Sequence, residues 1–253
     1  MWWDDGLSVR DLYKSLEHRA KIYYIRVMKN SFESLPFIAD DAPGLWRQQV
    51  QPVNSREQNS AALFLDRDGV VVEEVNYLHR IEDLRLIPGA AAAISRANTR
   101  SIPVVMVTNQ SGIGRGHYDW VAFAKLQEEL LHQMEQEGAM VNMVLACGYH
   151  KDALPNYQID NHLWRKPNPG MLNAAEEAMG LNLSLSWMVG DALSDVDAAR
   201  NAGLAGVVHV LTGHGTRDRA EALTRKTSDF SVQCQESIHG VSNLIDDLFP
   251  LRH

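Results

Sequence analysis

From residue 61 onward, short apolar runs alternate along the chain with segments of helical period. Five short apolar runs have the length of buried strands, namely Ala61–Leu65, Pro103–Val107, Val141–Ala146, Leu185–Val189 and Gly206–Leu211. Six segments have the apolar spacing of helices, namely Ala90–Ala97, Trp120–Gln136, Gly170–Met179, Asp195–Asn201, Ala220–Arg225 and Ser237–Leu248. This alternation predicts an α/β fold, a doubly wound parallel sheet with helices on both faces.

The first 57 residues have a different pattern. Leu7–Met28 is weakly helical, whereas Ser31–Asn59 is polar, contains three prolines and has no sustained period. We therefore interpret residues 1–57 as an N-terminal extension or linker, partly helical and without chemistry of its own. Residues 58–253 are then predicted to form one domain.

Composition narrows the class of protein. Of the 253 residues, 45% are hydrophobic and 22% charged, as in globular proteins, and no apolar run approaches the roughly 20 residues that span a bilayer. The formal charge of −8 disfavours binding to nucleic acid. Two cysteines, Cys147 and Cys234, cannot form a disulfide framework, and no secretory signal opens the chain, so we expect a cytoplasmic protein without membrane association.

Polar side chains follow the predicted strands at the end of a parallel sheet where ligands bind. The first strand leads directly into Asp66 and Asp68, and paired carboxylates beside a buried strand need a shared proton or cation. Mg²⁺ is a hard cation that binds through one or two carboxylates and a substrate phosphate. The second strand leads into Thr108 in a glycine-rich turn, where a hydroxyl and backbone amides suit phosphate oxygens.

Two further segments add a cation and a third carboxylate. Arg165 and Lys166 stand in a proline-rich loop before a predicted helix, and Asp191 directly follows the fourth strand, with Asp195 four residues later. Thr108 lies 42 residues after Asp66, Lys166 lies 58 residues after Thr108, and Asp191 lies 25 residues after Lys166. Each of these separations is long enough for a crossover between parallel strands. We therefore expect these groups at neighbouring strand ends.

Four segments carry a resemblance to a known family, namely LDRDGVV (65–71), VTNQSGIGRG (107–116), RKPNPGM (165–171) and MVGD (188–191). They resemble the haloacid dehalogenase (HAD) superfamily of phosphotransferases, and within it the heptose-bisphosphate and histidinol-phosphate phosphatases. The resemblance covers residues 61–249. It implies a magnesium-dependent phosphatase that acts on a small phosphorylated sugar, with D-glycero-D-manno-heptose 1,7-bisphosphate as the expected substrate.

The resemblance also implies roles for individual residues. Asp66 is expected to attack phosphorus and form an aspartyl-phosphate, and Asp68 to act first as general acid and then as general base. Thr108 and Lys166 are expected to bind the phosphoryl oxygens, and Lys166 to keep Asp66 ionised. Magnesium is expected on Asp66, Asp191 and the backbone carbonyl of Asp68, with Asp195 behind them. The residues expected to contact the rest of the substrate are Asn109, Ser111, Arg115 and Arg165.

One loop departs from the resemblance. Relatives with heptose activity carry a zinc-stabilised loop, whose four ligand positions are occupied here by Cys147, Tyr149, His162 and Trp164. Tyrosine and tryptophan are not structural zinc ligands, so zinc is not expected, although Cys147, His150 and His162 remain an alternative set of three. We expect the loop to be held by packing of Leu154, Tyr157 and the tryptophan.

The spacing of the motifs leaves no room for a cap domain inserted between them. The site is therefore expected to be open and covered only by the loops Val71–Leu84, Gly112–Tyr118 and Gly148–Trp164. A second departure concerns the substrate, because Ala192 stands where the heptose enzymes commonly carry lysine.

Three other functions stay open. Histidinol phosphate is an alternative substrate within the family, and a polynucleotide 3′-phosphatase shares the TNQ-x-GIGRG pattern but predicts salt-dependent DNA binding, which the −8 charge disfavours. A non-catalytic phosphosugar-binding homologue is disfavoured because the complete set of motif residues is present. The oligomeric state is not predicted by the sequence.

Overall fold

A computed structural model describes residues 37–39, 42–51 and 59–250. Its strands are β1 (Ile38–Ala39), β2 (Ala42–Gln49), β3 (Leu63–Leu65), β4 (Val104–Asn109), β5 (Met143–Cys147), β6 (Trp187–Gly190), β7 (Gly206–Val210) and β8 (Ser231–Gln235). Its helices are α1 (Ala90–Thr99), α2 (Ser111–Gly114), α3 (Trp120–Gln136), α4 (Gly170–Met179), α5 (Leu193–Asn201), α6 (Gly215–Leu223) and α7 (Ile238–Leu248). Short 3₁₀ turns lie at Ile81–Asp83, Pro155–Tyr157 and Leu183–Leu185.

The strands form one sheet in the order β1-β2-β5-β4-β3-β6-β7-β8. Strands β3 to β8 are parallel, and β1 and β2 run antiparallel at the β5 side. The predicted α/β fold with a largely parallel sheet and flanking helices is thus confirmed. Because β3 lies between β4 and β6, the carboxyl ends of these three strands lie side by side, and each leads into one of the polar motifs.

All five predicted strands and all six predicted helices are present, with shifted ends. The central strands β3, β4, β5 and β6 are almost wholly buried, as expected for apolar strands covered on both faces. Helix α3 begins at the predicted residue because the Asp119 side chain accepts a hydrogen bond from the Ala122 amide at 2.8 Å. The helix predicted from Ala220 begins five residues earlier, at Gly215.

The interpretation of Ser31–Asn59 as a linker is wrong for strand β2. This strand pairs antiparallel with β5, with Leu45 opposite Cys147 and Gln49 opposite Met143. Trp46 anchors it, because its side chain is 1% exposed and stacks on Trp120 with ring centroids 5.6 Å apart. Strand β8 was also not predicted. The helix predicted over residues 7–28 lies outside the described residues, and the boundary at residue 57 stays a prediction.

Between Asp66 and Asp191 the structure describes every residue, and each motif is followed by a return to the sheet. The intervening segments form strands of this one sheet and the helices and loops that connect them, in agreement with the predicted absence of a cap domain. Within the described residues, no helix is both long enough and apolar enough to cross a membrane.

Candidate active site

Asp66 follows strand β3 directly and stands at the centre of the site. Its amide donates to the Val189 carbonyl on the neighbouring strand at 3.0 Å, which fixes its backbone. Its Oδ1 accepts a hydrogen bond from the Arg67 amide at 2.7 Å and lies 2.9 Å from Lys166 Nζ. The carboxylate is 13% exposed, so it is held from behind while one side faces the cavity.

Lys166 reaches the site from the loop before helix α4. Its ammonium pairs with Asp66 and also with Asp195, at 2.6 Å, and donates to the Val107 carbonyl at 3.0 Å. Asn109 holds the loop itself, since its side-chain amide donates to the Lys166 carbonyl at 3.0 Å and accepts from the Lys166 amide at 3.1 Å. The side-chain nitrogen and oxygen of Asn109, a predicted substrate-binding residue, therefore position Lys166.

Asp191 and Asp195 bring two more carboxylates to the same place. Asp191 follows strand β6, and its Oδ2 accepts a hydrogen bond from the His214 amide at 2.6 Å. Asp195 lies in helix α5 and accepts from the Ala192 amide at 3.0 Å. One oxygen from each of Asp66, Asp191 and Asp195 lies within 4.8 Å of the other two. Three carboxylates and one ammonium leave this cluster with an excess of negative charge.

The excess charge changes the protonation of the site. Burial raises the pKa of Asp66 well above its ordinary value, and this outweighs the lowering by Lys166. Burial and the neighbouring Asp195 carboxylate raise the pKa of Asp191 to about 7. Lys166 lowers the pKa of Asp66, the direction expected of it, and its role in keeping Asp66 ionised stays a prediction. The three carboxylates suit a hard divalent cation, which would supply positive charge to the cluster.

The Asp68 carboxylate lies apart from this cluster. It accepts hydrogen bonds from Arg67 Nη2 at 2.9 Å and from Gln110 Nε2 at 2.9 Å. Thr108 Oγ1 lies 3.4 Å from it and accepts a hydrogen bond from the same Gln110 amide at 2.8 Å. The Asp68 side chain is therefore held by a guanidinium and an amide donor.

Three residues that the sequence analysis did not select support Asp68. Arg67 is 1% exposed, and its guanidinium lies over the Phe123 ring at 5.2 Å. Gln110 Oε1 accepts a hydrogen bond from Arg67 at 3.1 Å and another from the Tyr118 hydroxyl. Arg67 lies in the motif LDRDGVV and Gln110 in the motif VTNQSGIGRG, so their place in these motifs could have identified them as site residues.

A cavity of about 360 Å³ opens in front of Asp66. Ser111, Asn109 and Arg165, which were predicted to contact substrate, are among the residues that line it. Other lining residues were not singled out individually, among them Glu74, Asn76, Tyr77, Ser194, His214 and Arg217. Arg115 is not among the lining residues. Its guanidinium instead donates to the Tyr77 hydroxyl at 2.8 Å and lies 3.1 Å from His150 Nε2, so it joins two of the covering loops.

Comparisons with known proteins decide the family. A family model described as HAD-hydrolase-like matches residues 163–233. The chain is 43% identical over 165 residues to a D-glycero-beta-D-manno-heptose-1,7-bisphosphate 7-phosphatase from Mesorhizobium japonicum, which covers 64% of this chain and 75% of the relative. A second such phosphatase, from Thermosynechococcus vestitus, is 42% identical over 62% of this chain and 81% of its own. The chain belongs to the HAD phosphatases.

A solved structure supports the assignment of this chain to the HAD phosphatases. The crystal structure of the D,D-heptose 1,7-bisphosphate phosphatase from B. bronchiseptica, complexed with magnesium and phosphate, matches with a TM-score of 0.65. The match has 28% identity and covers 74% of this chain and 98% of the other. The predicted family, and with it the class of phosphoric monoester hydrolase, is confirmed. The substrate and the roles of individual residues stay predictions.

In this phosphatase the loop Gly148–Trp164 is held by side-chain packing and hydrogen bonds. Cys147 is fully buried, and burial raises the pKa of its thiol to about 11. His162 stacks on Tyr149, with ring centroids 4.4 Å apart, and its Nδ1 accepts from the Trp164 amide at 3.1 Å. Among the described residues, the acidic cluster is the group of three that could hold a metal.

The predicted packing of the same loop is confirmed for two of its three residues. Tyr157 and Trp164 pack against the hydrophobic core. Leu154 does not, because its side chain is 53% exposed. The interpretation was wrong there because apolar character alone does not say which way a loop side chain points.

Proposed function

We propose that this HAD phosphatase removes the 7-phosphate of D-glycero-D-manno-heptose 1,7-bisphosphate in a magnesium-dependent reaction. The observation that carries the proposal is the placement of Asp66. Its carboxylate is paired with Lys166, lies within 4.8 Å of Asp191, and opens onto a cavity that suits a small polar substrate. Two relatives above 40% identity are named for this reaction.

Asp66 is the nucleophile of the proposed first step. Its oxygen forms a bond to phosphorus while the bond from phosphorus to the sugar oxygen breaks, which gives an aspartyl-phosphate. Asp68 gives its proton to the departing sugar oxygen, and its hydrogen bonds to Arg67 and Gln110 hold it in place for that transfer. Asp66 thus supplies the attacking oxygen, and the carboxyl group of Asp68 supplies the proton.

The second step returns Asp66 to its starting form. Asp68, now ionised, takes a proton from a water molecule, whose oxygen forms a bond to phosphorus as the acyl-phosphate bond breaks. Inorganic phosphate is released. Lys166 and Thr108 would bind the phosphoryl oxygens in both steps. Their contacts with Asp195 and Gln110, which hold the ammonium and the hydroxyl in position, support this role.

Asp66, Asp191 and the backbone carbonyl of Asp68 would hold the magnesium ion. Bound there, the ion would neutralise charge on the phosphoryl oxygens and help to align them for transfer. Asp195 is the remaining carboxylate of the cluster, and its ion pair with Lys166 places it behind the metal ligands. The negative charge of the cluster supports this assignment.

The test is phosphate release from the heptose bisphosphate, from histidinol phosphate and from a DNA 3′-phosphate, each with magnesium or with EDTA. We expect kcat/KM for the heptose bisphosphate to exceed that for histidinol phosphate by at least about tenfold, with loss of activity in EDTA. A higher kcat/KM for histidinol phosphate would replace the proposed substrate, and equal rates in EDTA would contradict the magnesium requirement.

Asp66→Asn tests the nucleophile. The variant keeps the size of the side chain but removes the attacking oxygen, so we expect kcat to fall by at least about 10³-fold. The matched control is Asp247→Asn, the same chemical change at an exposed position in helix α7, which should leave kcat unchanged. Substantial activity in folded Asp66→Asn would contradict the aspartyl-phosphate step.

A further inference from the structure

Strand β2 reaches the active-site side of the sheet through Gly44. Beyond the last paired residues of β2 and β5, the Gly148 amide donates to the Gly44 carbonyl at 2.8 Å and so extends the ladder. The Tyr149 ring then lies directly on Gly44, because a Cβ added at Gly44 would stand 2.7 Å from the ring atoms Cε1 and Cζ. No real Cβ approaches a ring that closely, so this contact requires glycine.

Tyr149 in turn holds Arg165 by two routes. Its backbone carbonyl accepts a hydrogen bond from Arg165 Nη1 at 3.2 Å. Its ring, which is 4% exposed, stacks on His162, whose carbonyl accepts a hydrogen bond from the Arg165 amide at 2.9 Å. Both the guanidinium and the backbone of Arg165 therefore depend on where Tyr149 sits.

Two buried aromatic residues, Trp46 and Trp120, fix the part of strand β2 on which Tyr149 packs. Trp120 Nε1 donates to the Pro43 carbonyl at 2.7 Å, which holds the residue next to Gly44. Trp46 stacks against Trp120 and is buried. Gly44 thus cannot slide away from the ring without breaking these contacts, and strand β2 is a rigid support for the loop that carries Arg165.

We propose that Gly44 is a positioning residue for substrate binding, which acts through Tyr149 on Arg165. This inference rests on the proposed function, since it assigns Arg165 to the part of the substrate beyond the reacting phosphate. Arg165 lines the cavity next to Lys166, so a shift of its guanidinium changes contact with that part of the substrate. Lys166 itself stays in place, because the Asn109 side chain holds its amide and its carbonyl. The effect belongs in KM rather than in kcat.

The test is a double-mutant cycle between Gly44→Ala and Arg165→Ala. We expect Gly44→Ala to raise KM for the heptose bisphosphate by about fivefold with kcat changed less than about twofold, because a charge-assisted contact is weakened. In the Arg165→Ala background, the same substitution should raise KM by less than about twofold. For p-nitrophenyl phosphate, which offers nothing to Arg165 beyond the phosphate, Gly44→Ala should leave KM within about twofold.

Two further variants separate positioning from folding. Tyr149→Phe keeps the ring and should have the same KM as the wild type. Tyr149→Leu removes the stacking and should raise KM as Gly44→Ala does. If Gly44→Ala does not yield folded protein, Tyr149→Leu takes its place in the cycle. The matched control on the same strand is Arg47→Ala, an exposed position that should leave KM and the melting temperature unchanged.

Three results would overturn the inference. The first is an equal increase in KM in both backgrounds, and the second is a loss of kcat or stability without an increase in KM. The third is an Arg165→Ala variant with unchanged KM for every sugar phosphate tested. If the wild type does not hydrolyse the heptose bisphosphate, the proposed substrate fails, and the cycle is run on the sugar phosphate with the highest kcat/KM.

Discussion

Arg67 shows at the scale of single residues how the site is kept in shape. Its guanidinium is almost wholly buried between the Phe123 ring and the Asp68 carboxylate, and it also donates to Gln110. A buried cation in such a place is stable only while it is paired. The contacts that hold Asp68 for its proposed proton transfer therefore also affect the stability of the fold.

We predict that Arg67→Ala lowers the free energy of unfolding by about 3 kcal/mol, because it leaves a largely buried carboxylate unpaired and removes packing on Phe123. Urea denaturation followed by circular dichroism measures the change. The matched control is Arg80→Ala, whose partner Glu82 is 62% exposed, and which should leave the urea midpoint unchanged. Equal losses in the two variants would contradict the prediction.

The sequence predicted which residues meet at the site better than what each side chain does there. Asp66, Thr108, Lys166 and Asp191 follow apolar runs or precede a helix, and the parallel topology then brings them together. The direction of a side chain is not contained in such a pattern. For this reason the hydrogen bonds of Asn109 to the Lys166 backbone were not predicted, and its contact with substrate stays a prediction.

At the scale of elements, the described strand β2 is the largest departure from expectation. Its sequence, APGLWRQQ, has proline and glycine at its second and third positions and ends in three polar residues. Its burial pattern shows that Gly44 and Trp46 are its buried residues, with polar neighbours partly or wholly exposed. Such a strand offers too few apolar positions to be recognised, whereas the continuous apolar runs of β4 and β5 were recognised directly.

We predict that Trp46→Ala lowers the free energy of unfolding by about 3–5 kcal/mol, since it empties a buried position between Trp120 and Phe123. Urea denaturation of the full chain measures it. Arg47→Ala, the next residue on the same strand, is exposed and should change the free energy by less than about 0.5 kcal/mol. A loss in Trp46→Ala as small as in this control would mean that β2 contributes little to the fold.

At the scale of the whole molecule, the acidic cluster links stability to pH and to magnesium. The pKa of Asp191 is raised to about 7 by burial and by Asp195, against an ordinary value of 3.8. Between these two values the folded protein holds a proton that the unfolded chain has lost, so stability without a cation falls as pH rises from about 4 to about 7. A cation that replaces the proton stabilises most above that range.

We therefore predict that magnesium raises the melting temperature by about 3 °C more at pH 8 than at pH 5.5, measured against EDTA by scanning fluorimetry. Asp191→Asn has no carboxylate to titrate at this position, so the dependence of the magnesium effect on pH should become weaker. An equal gain at the two pH values in the wild type would contradict a cation site built on this carboxylate.

Strand β3 has a consequence for how the molecule exchanges its amide hydrogens. Its three residues are fully buried and are bonded on both sides, to β4 and to β6, deep within the sheet. The amides of Leu63, Phe64 and Leu65 should therefore be among the last to exchange with deuterated solvent, well after those of the outer strands β1 and β8. Asp66, the proposed nucleophile, directly follows these residues and is therefore attached to the part of the chain that opens last. Partial unfolding at the edges of the sheet should leave its backbone in place.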